Sequence, residues 1–109
     1  MINLGIVKDK SSCVVKNTLL DESGNAVIPT SGKWTLFDSA GNIVNSRQDV
    51  VISSLASVTY IPLTGDDLDA DIDNQRHLLI EFEYLSSLTG TTLDKREMGI
   101  LAIEDFPYA

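Results

Sequence analysis

A chain of 109 residues can bury one core without metals or cross-links, and 43% hydrophobic with 22% charged residues is a globular composition, too apolar for disorder. No apolar run approaches the ~20 residues that span a bilayer, so no membrane partner is expected. A net charge of −8, from 16 acidic against 8 basic residues with no basic cluster, repels a phosphate backbone and argues against nucleic acid.

Met1 to Lys10 shows no basic cluster followed by an apolar stretch, so the chain does not read as exported and synthesis in the cytoplasm is the expectation. Cys13 is the sole cysteine, which excludes an intrachain disulfide and a zinc site built on paired cysteines. A buried, inert thiol is expected there.

Strand-type segments divided by turn chemistry run along the chain, and nothing keeps a helical period for three turns. Ile2, Leu4 and Ile6 alternate with Asn3 and Gly5 as a first strand, and Ser12 to Leu20, rich in Val and Thr, reads as a second. Asp21 to Asn25 turns the chain, and Pro29 to Gly32 breaks it again. In Lys33 to Asp38, Trp34 and Leu36 point one way and Thr35 and Phe37 the other. Ser39-Ala40-Gly41-Asn42 closes a hairpin into Ile43 and Val44.

Val50 to Ile52 and Val58 to Leu63 follow as strands, the latter placed at an edge by Pro62, which cannot donate to a ladder. Thr64-Gly65-Asp66-Asp67 has the pattern of a capping box and predicts one helical turn near residues 65–70. The clearest strand sets Leu78, Ile80, Phe82 and Tyr84 against His77, Leu79, Glu81 and Glu83. After a loop at Ser86 to Thr92, Lys95 to Glu104 alternates Met98, Ile100 and Ala102 with Gly99, Leu101 and Ile103. About seven short strands with regular turns predict an all-β fold, an immunoglobulin-like antiparallel β-sandwich occupying residues 1–109 as one domain, with a small barrel as the alternative.

Candidate chemistry is sparse, and no catalytic residue and no cofactor is assigned. His77, the sole histidine, lacks a nucleophile-elbow sequence near any serine and reads as a strand-end side chain. Asp66, Asp67, Asp69, Asp71 and Asp73 crowd one loop, and Asp69, Asp71 and Asp73 copy the opening of an EF-hand. Asn74 then stands where that loop needs glycine and Ile80 where it needs glutamate, so a solvated acidic loop competes with a structural Ca²⁺ site. Glu81 and Glu83 share a strand face at ~6.5–7 Å between Cα atoms, a spacing common to any such pair and here without an implied cleft. Trp34, Tyr60, Phe82 and Tyr84 read as core and not as a stacking platform.

The second face is less ordinary. Phe37, Leu79, Leu101 and Ile103 are apolar where a one-sided sheet carries polar groups, so the Met1–Val7 segment, a loop or another subunit must cover them. These four are the interface candidates, and a homo-oligomer is expected from them.

The hairpin Lys33-Trp34-Thr35-Leu36-Phe37-Asp38-Ser39-Ala40-Gly41-Asn42-Ile43-Val44 resembles one common in small Ig-like modules of bacteriophage structural proteins. The following Ser57 to Pro62, Leu78 to Tyr84, Gly90 and Arg96 to Ile103 continue the similarity over residues 14–106. The resemblance implies a non-enzymatic structural or assembly protein of a phage or prophage, associated with capsid, neck or tail. Its partners would be other virion proteins, and it would be made in the host cytoplasm and end in the virion. The alternative is a stand-alone module of a bacterial surface system that binds carbohydrate or Ca²⁺.

Overall fold

The structure, a computed structural model, describes residues 2–70 and 74–104. Seven strands form among them: β1 Ile2–Lys8, β2 Cys13–Thr18, β3 Ser31–Phe37, β4 Val50–Val51, β5 Val58–Leu63, β6 Gln75–Leu85 and β7 Thr92–Glu104. A single 3-10 turn, Gly65–Leu68, lies between β5 and β6. One sheet has the order β1-β7-β6-β3-β4, and the other consists of β2 and β5.

The larger sheet is mixed and not purely antiparallel, because β1 runs parallel to β7 while its other pairs are antiparallel. Parallel neighbours need a long crossover, and here the rest of the fold supplies it. Within β1 the register slips between Asn3 and Gly5. Gly5 takes φ of 100°, a conformation closed to most side chains, and its N–H donates to Asn3 Oδ1 at 2.9 Å. The expected alternation of Ile2, Leu4 and Ile6 is therefore broken: Leu4 packs against the core over Gly99, while Ile6 is 70% exposed.

The two sheets share one core. Val15, Ile61 and Leu63 from the small sheet meet Trp34, Leu36, Leu78, Ile80, Phe82, Tyr84, Leu101 and Ile103 from the large one. Val44 also enters it from the loop after β3. That loop makes only a single bridge, Phe37 to Ile43, in place of the expected hairpin strand, because Asp38 Oδ1 accepts from the Ala40 and Asn42 N–H groups and holds a tight turn. Trp34, Phe82 and Tyr84 are core as expected, whereas Tyr60 lies on the outer surface of the small sheet and is 63% exposed.

β7 carries the main correction. Leu101 and Ile103, expected on the second face with Phe37 and Leu79, are buried in the core at 2% and 5% exposure. The register sets Leu78 opposite Gly99 and Leu79 opposite Met98, so Met98, Ile100 and Ala102 take the outward positions. Both alternating sets of β7 are apolar, so period-two patterning cannot choose between them. The body is elongated, with extents of 55 by 23 by 21 Å.

Candidate functional site

The outward face of the larger sheet is built strand by strand from the register. Phe37 on β3 pairs with His77 on β6, which pairs with Ile100 on β7; Thr35, Leu79 and Met98 form the next row. Ala102 pairs with Gln75 on one side and Ile6 on the other. Phe37, Leu79, Met98, Ile100 and Ala102 are half-buried, and Ile6 is open to solvent. An apolar band thus crosses four strands.

Ion pairs border it. Arg96 donates to Glu81 Oε2 from Nε at 3.1 Å and Nη2 at 3.0 Å, and Lys33 Nζ approaches Asp49 Oδ1 at 3.3 Å. Lys8 Nζ lies 2.8 Å from Glu104 Oε1 where β1 and β7 end. These pairs are exposed and contribute little stability each, but they frame an apolar centre with a polar rim, the anatomy of a protein interface.

No family model, curated protein or solved structure matches this chain. The assignment of sites therefore rests on geometry. Of the four interface candidates, Phe37 and Leu79 lie on the outward band, while Leu101 and Ile103 do not. Met98, Ile100, Ala102 and Ile6 complete the band and were missed; the signal for them was Gly99, whose missing side chain makes room for Leu4 on the inner face. His77 stands within the band between Phe37 and Ile100. Glu81 is engaged by Arg96, and Glu83 pairs with Ser31 and Asp94 at the sheet's polar end.

Asp71 and Asp73 lie outside the described residues, so of the EF-hand-like triplet only Asp69 is described. The Asp69 main-chain oxygen accepts from Arg76 Nη2 at 2.6 Å. Among the described residues no three His, Cys, Asp or Glu side chains converge as a ligand set.

Two polar clusters hold the ends of the fold. Asp67, fully buried, accepts from Arg47 Nε and Asn45 Nδ2, both at 2.8 Å on Oδ1, and from the Thr64 N–H at 2.9 Å on Oδ2. Burial pushes its carboxyl up, but the hydrogen bonds from Arg47, Thr64 and Asn45 together with the Arg47 charge outweigh this and hold it below the usual carboxylate range. Asp67 is thus the acid of the expected capping box and also the anchor of the 45–47 loop, where Asn45 and Ser46 both turn through positive φ. The Asp67 charge is felt at Cys13, whose thiol is pushed up first by burial and then by that carboxylate. At the other end Glu22 accepts from Tyr84 Oη at 2.8 Å and from the buried Ser86 hydroxyl. The Ser86 bond is the main cause that lowers the Glu22 carboxyl, and the bond to Glu22 raises the Tyr84 phenol.

Proposed function

We propose that this chain is a non-enzymatic structural or assembly protein of a phage or prophage virion, acting through the outward face of its larger sheet and associating with its own copies. The observation that carries the reading is the band formed by Phe37, Leu79, Met98, Ile100, Ala102 and Ile6: neighbouring apolar side chains, five of them partly exposed and Ile6 open to solvent within one chain, bordered by ion pairs. The phage assignment is supported by the resemblance of the Trp34 to Val44 segment and the strands after it.

An immunoglobulin-like identity is supported by the strand order. In such domains a G-F-C-C′ sheet faces a B–E pair, with a buried tryptophan on strand C. Here β7-β6-β3-β4 faces β2–β5, and Trp34 is buried on β3.

Light scattering over a concentration series tests the self-association, with Leu79→Lys and Met98→Lys as variants. Wild type forms a defined oligomer that either substitution dissociates, while the melting temperature changes little because both side chains face outward. Antibody against the chain labels intact particles produced by the phage or prophage that encodes it. A strict monomer at high concentration, with particles that carry none of the chain, overturns the reading.

A further inference from the structure

The smaller sheet has a vacant edge, distinct from the outward band. In the β2–β5 ladder the Leu19 N–H donates to the Ser57 carbonyl at 2.8 Å, and the register then pairs Asn17 with Thr59, Val15 with Ile61 and Cys13 with Leu63. In an antiparallel pair the hydrogen-bonded residues alternate, so Thr59, Ile61 and Leu63 turn their main-chain groups to β2. Val58, Tyr60 and Pro62 turn theirs the other way. β5 has no second neighbour among the described strands, so two N–H and three C=O groups line its free side.

Beyond that edge lies a cleft of about 620 Å³, reaching across to β4. Trp34 and Ile61 line it from the two sheets, and Tyr60 and Pro62 from the rim. The chain has 16 acidic residues, yet none of the described ones lines the cleft, and the one cation among the described lining residues, Arg47, is neutralised by Asp67. The free edge of β2 differs: its cleft is about 250 Å³ and includes Glu97 and Lys16. An immunoglobulin-type sheet carries a further strand beside strand E, where this chain runs directly from β4 into β5 through an irregular segment at 52–57.

We infer that the β5 edge accepts an extended, uncharged strand from another polypeptide, with apolar residues at alternate positions turned into the cleft between β4 and β5. Main-chain pairing supplies affinity and the Trp34–Ile61 cleft supplies register, as in other cases of strand addition. The neutral lining favours a segment without charges, since a charged side chain loses hydration there and finds no partner. Pro62 offers a C=O but no N–H, so full two-bond pairing is confined to Val58 and Tyr60 and the edge takes one short strand. This inference holds whether or not the partner belongs to a virion.

The test uses the whole chain, labelled for amide NMR, with a capped hexapeptide of alternating valine and threonine as the probe. A control peptide is N-methylated on alternate residues, which keeps its side chains but removes its pairing groups. The expected result is shifted Val58 and Tyr60 amides that exchange about tenfold more slowly with the plain peptide, and no response to the methylated one. Tyr60→Pro, which removes the last free N–H without touching the β2 ladder, abolishes the effect, and Tyr60→Thr preserves it. Equal responses to both peptides, shifts centred on Leu79 and Met98, or no shift at β5 at millimolar probe each overturn the inference. If Tyr60→Pro fails to fold, the two peptides alone decide.

Discussion

Arg76 Nε donates to the main-chain oxygen of Asp67 at 2.8 Å, while the Asp67 carboxylate is itself gripped by Arg47. Two arginines from different elements therefore meet on one residue of the 3-10 turn. Arg76 is fully buried at a position where the alternation of β6 calls for an apolar side chain. Its Nη1 and Nη2 go to the carbonyls of Gln75 and Asp69, at 2.7 and 2.6 Å. The Asp67 and Asp69 carbonyls belong to the segment that leaves one sheet for the other, while that of Gln75 opens β6, and the guanidinium does for them what a ladder does elsewhere.

The same site sets an acid sensitivity. The Asp67 carboxyl is lowered in the folded protein, so its charge contributes stability above the ordinary aspartate value of about 3.9, and that contribution fades as pH falls through the folded value. Asp67→Asn is expected to cost about 2–3 kcal/mol at neutral pH, the scale of lost hydrogen bonds to a charged group. Urea unfolding at a series of pH values checks it: the gap to wild type begins to narrow below about pH 4, where Asp67 of the unfolded chain takes up its proton, and closes at lower pH as the folded carboxylate does.

Two glycines on the inner face differ in what surrounds them. A Cβ at Gly32 meets the Phe82 ring at 2.8 Å, and one at Gly99 meets Leu4 Cδ1 at 2.6 Å. The distances rank Gly99 as tighter, but mobility reverses the order. Phe82 is locked in the core, whereas Leu4 is half-buried on the edge strand β1 and can swing aside. Gly32→Ala is expected to lose about 2–3 kcal/mol and Gly99→Ala about 1 kcal/mol, on the usual scale of overpacking. Chemical denaturation ranks them, and Leu4→Ala recovers stability only in the Gly99 background.

Tyr84 reports on the contact that ties the 21–25 turn to the β6–β7 hairpin. Its phenol is raised because it donates to Glu22 and because a phenolate beside that carboxylate is disfavoured. Glu22→Gln removes the charge and keeps an acceptor. Ultraviolet titration of the tyrosines is expected to show the Tyr84 midpoint fall toward the ordinary tyrosine value in that variant.

Much of the fold was legible where side chains differ in kind. β5 begins and ends where Val58 to Leu63 predicts, and the inward set of β6 follows Leu78, Ile80, Phe82 and Tyr84. Thr64 and Asp67 marked the helical turn. What escaped reading was decided by partners far away in sequence. β7 is apolar on both sides, so its phase depends on pairing with β6 and on Leu4 filling the space over Gly99. Arg76 is silent in a pattern that scores only polarity, since its role is to satisfy carbonyls that exist only once the crossover has formed. Half of the candidate face was therefore assigned to the wrong residues of β7, while Phe37 and Leu79 were placed by the phases of β3 and β6.

The parallel pairing of β1 with β7 sets the order of assembly. Ile2 finds its partner at Gly99, so the earliest strand has no seat in the sheet until the latest one is in place. Closing so long a loop comes at an entropic cost that local contacts cannot defray in advance, which puts this chain among slow folders for its size. Until β7 has formed, β1 has no partner among the described strands, so the β1-facing side of β7 is an edge that closes only when contacts about 97 residues apart in sequence are made.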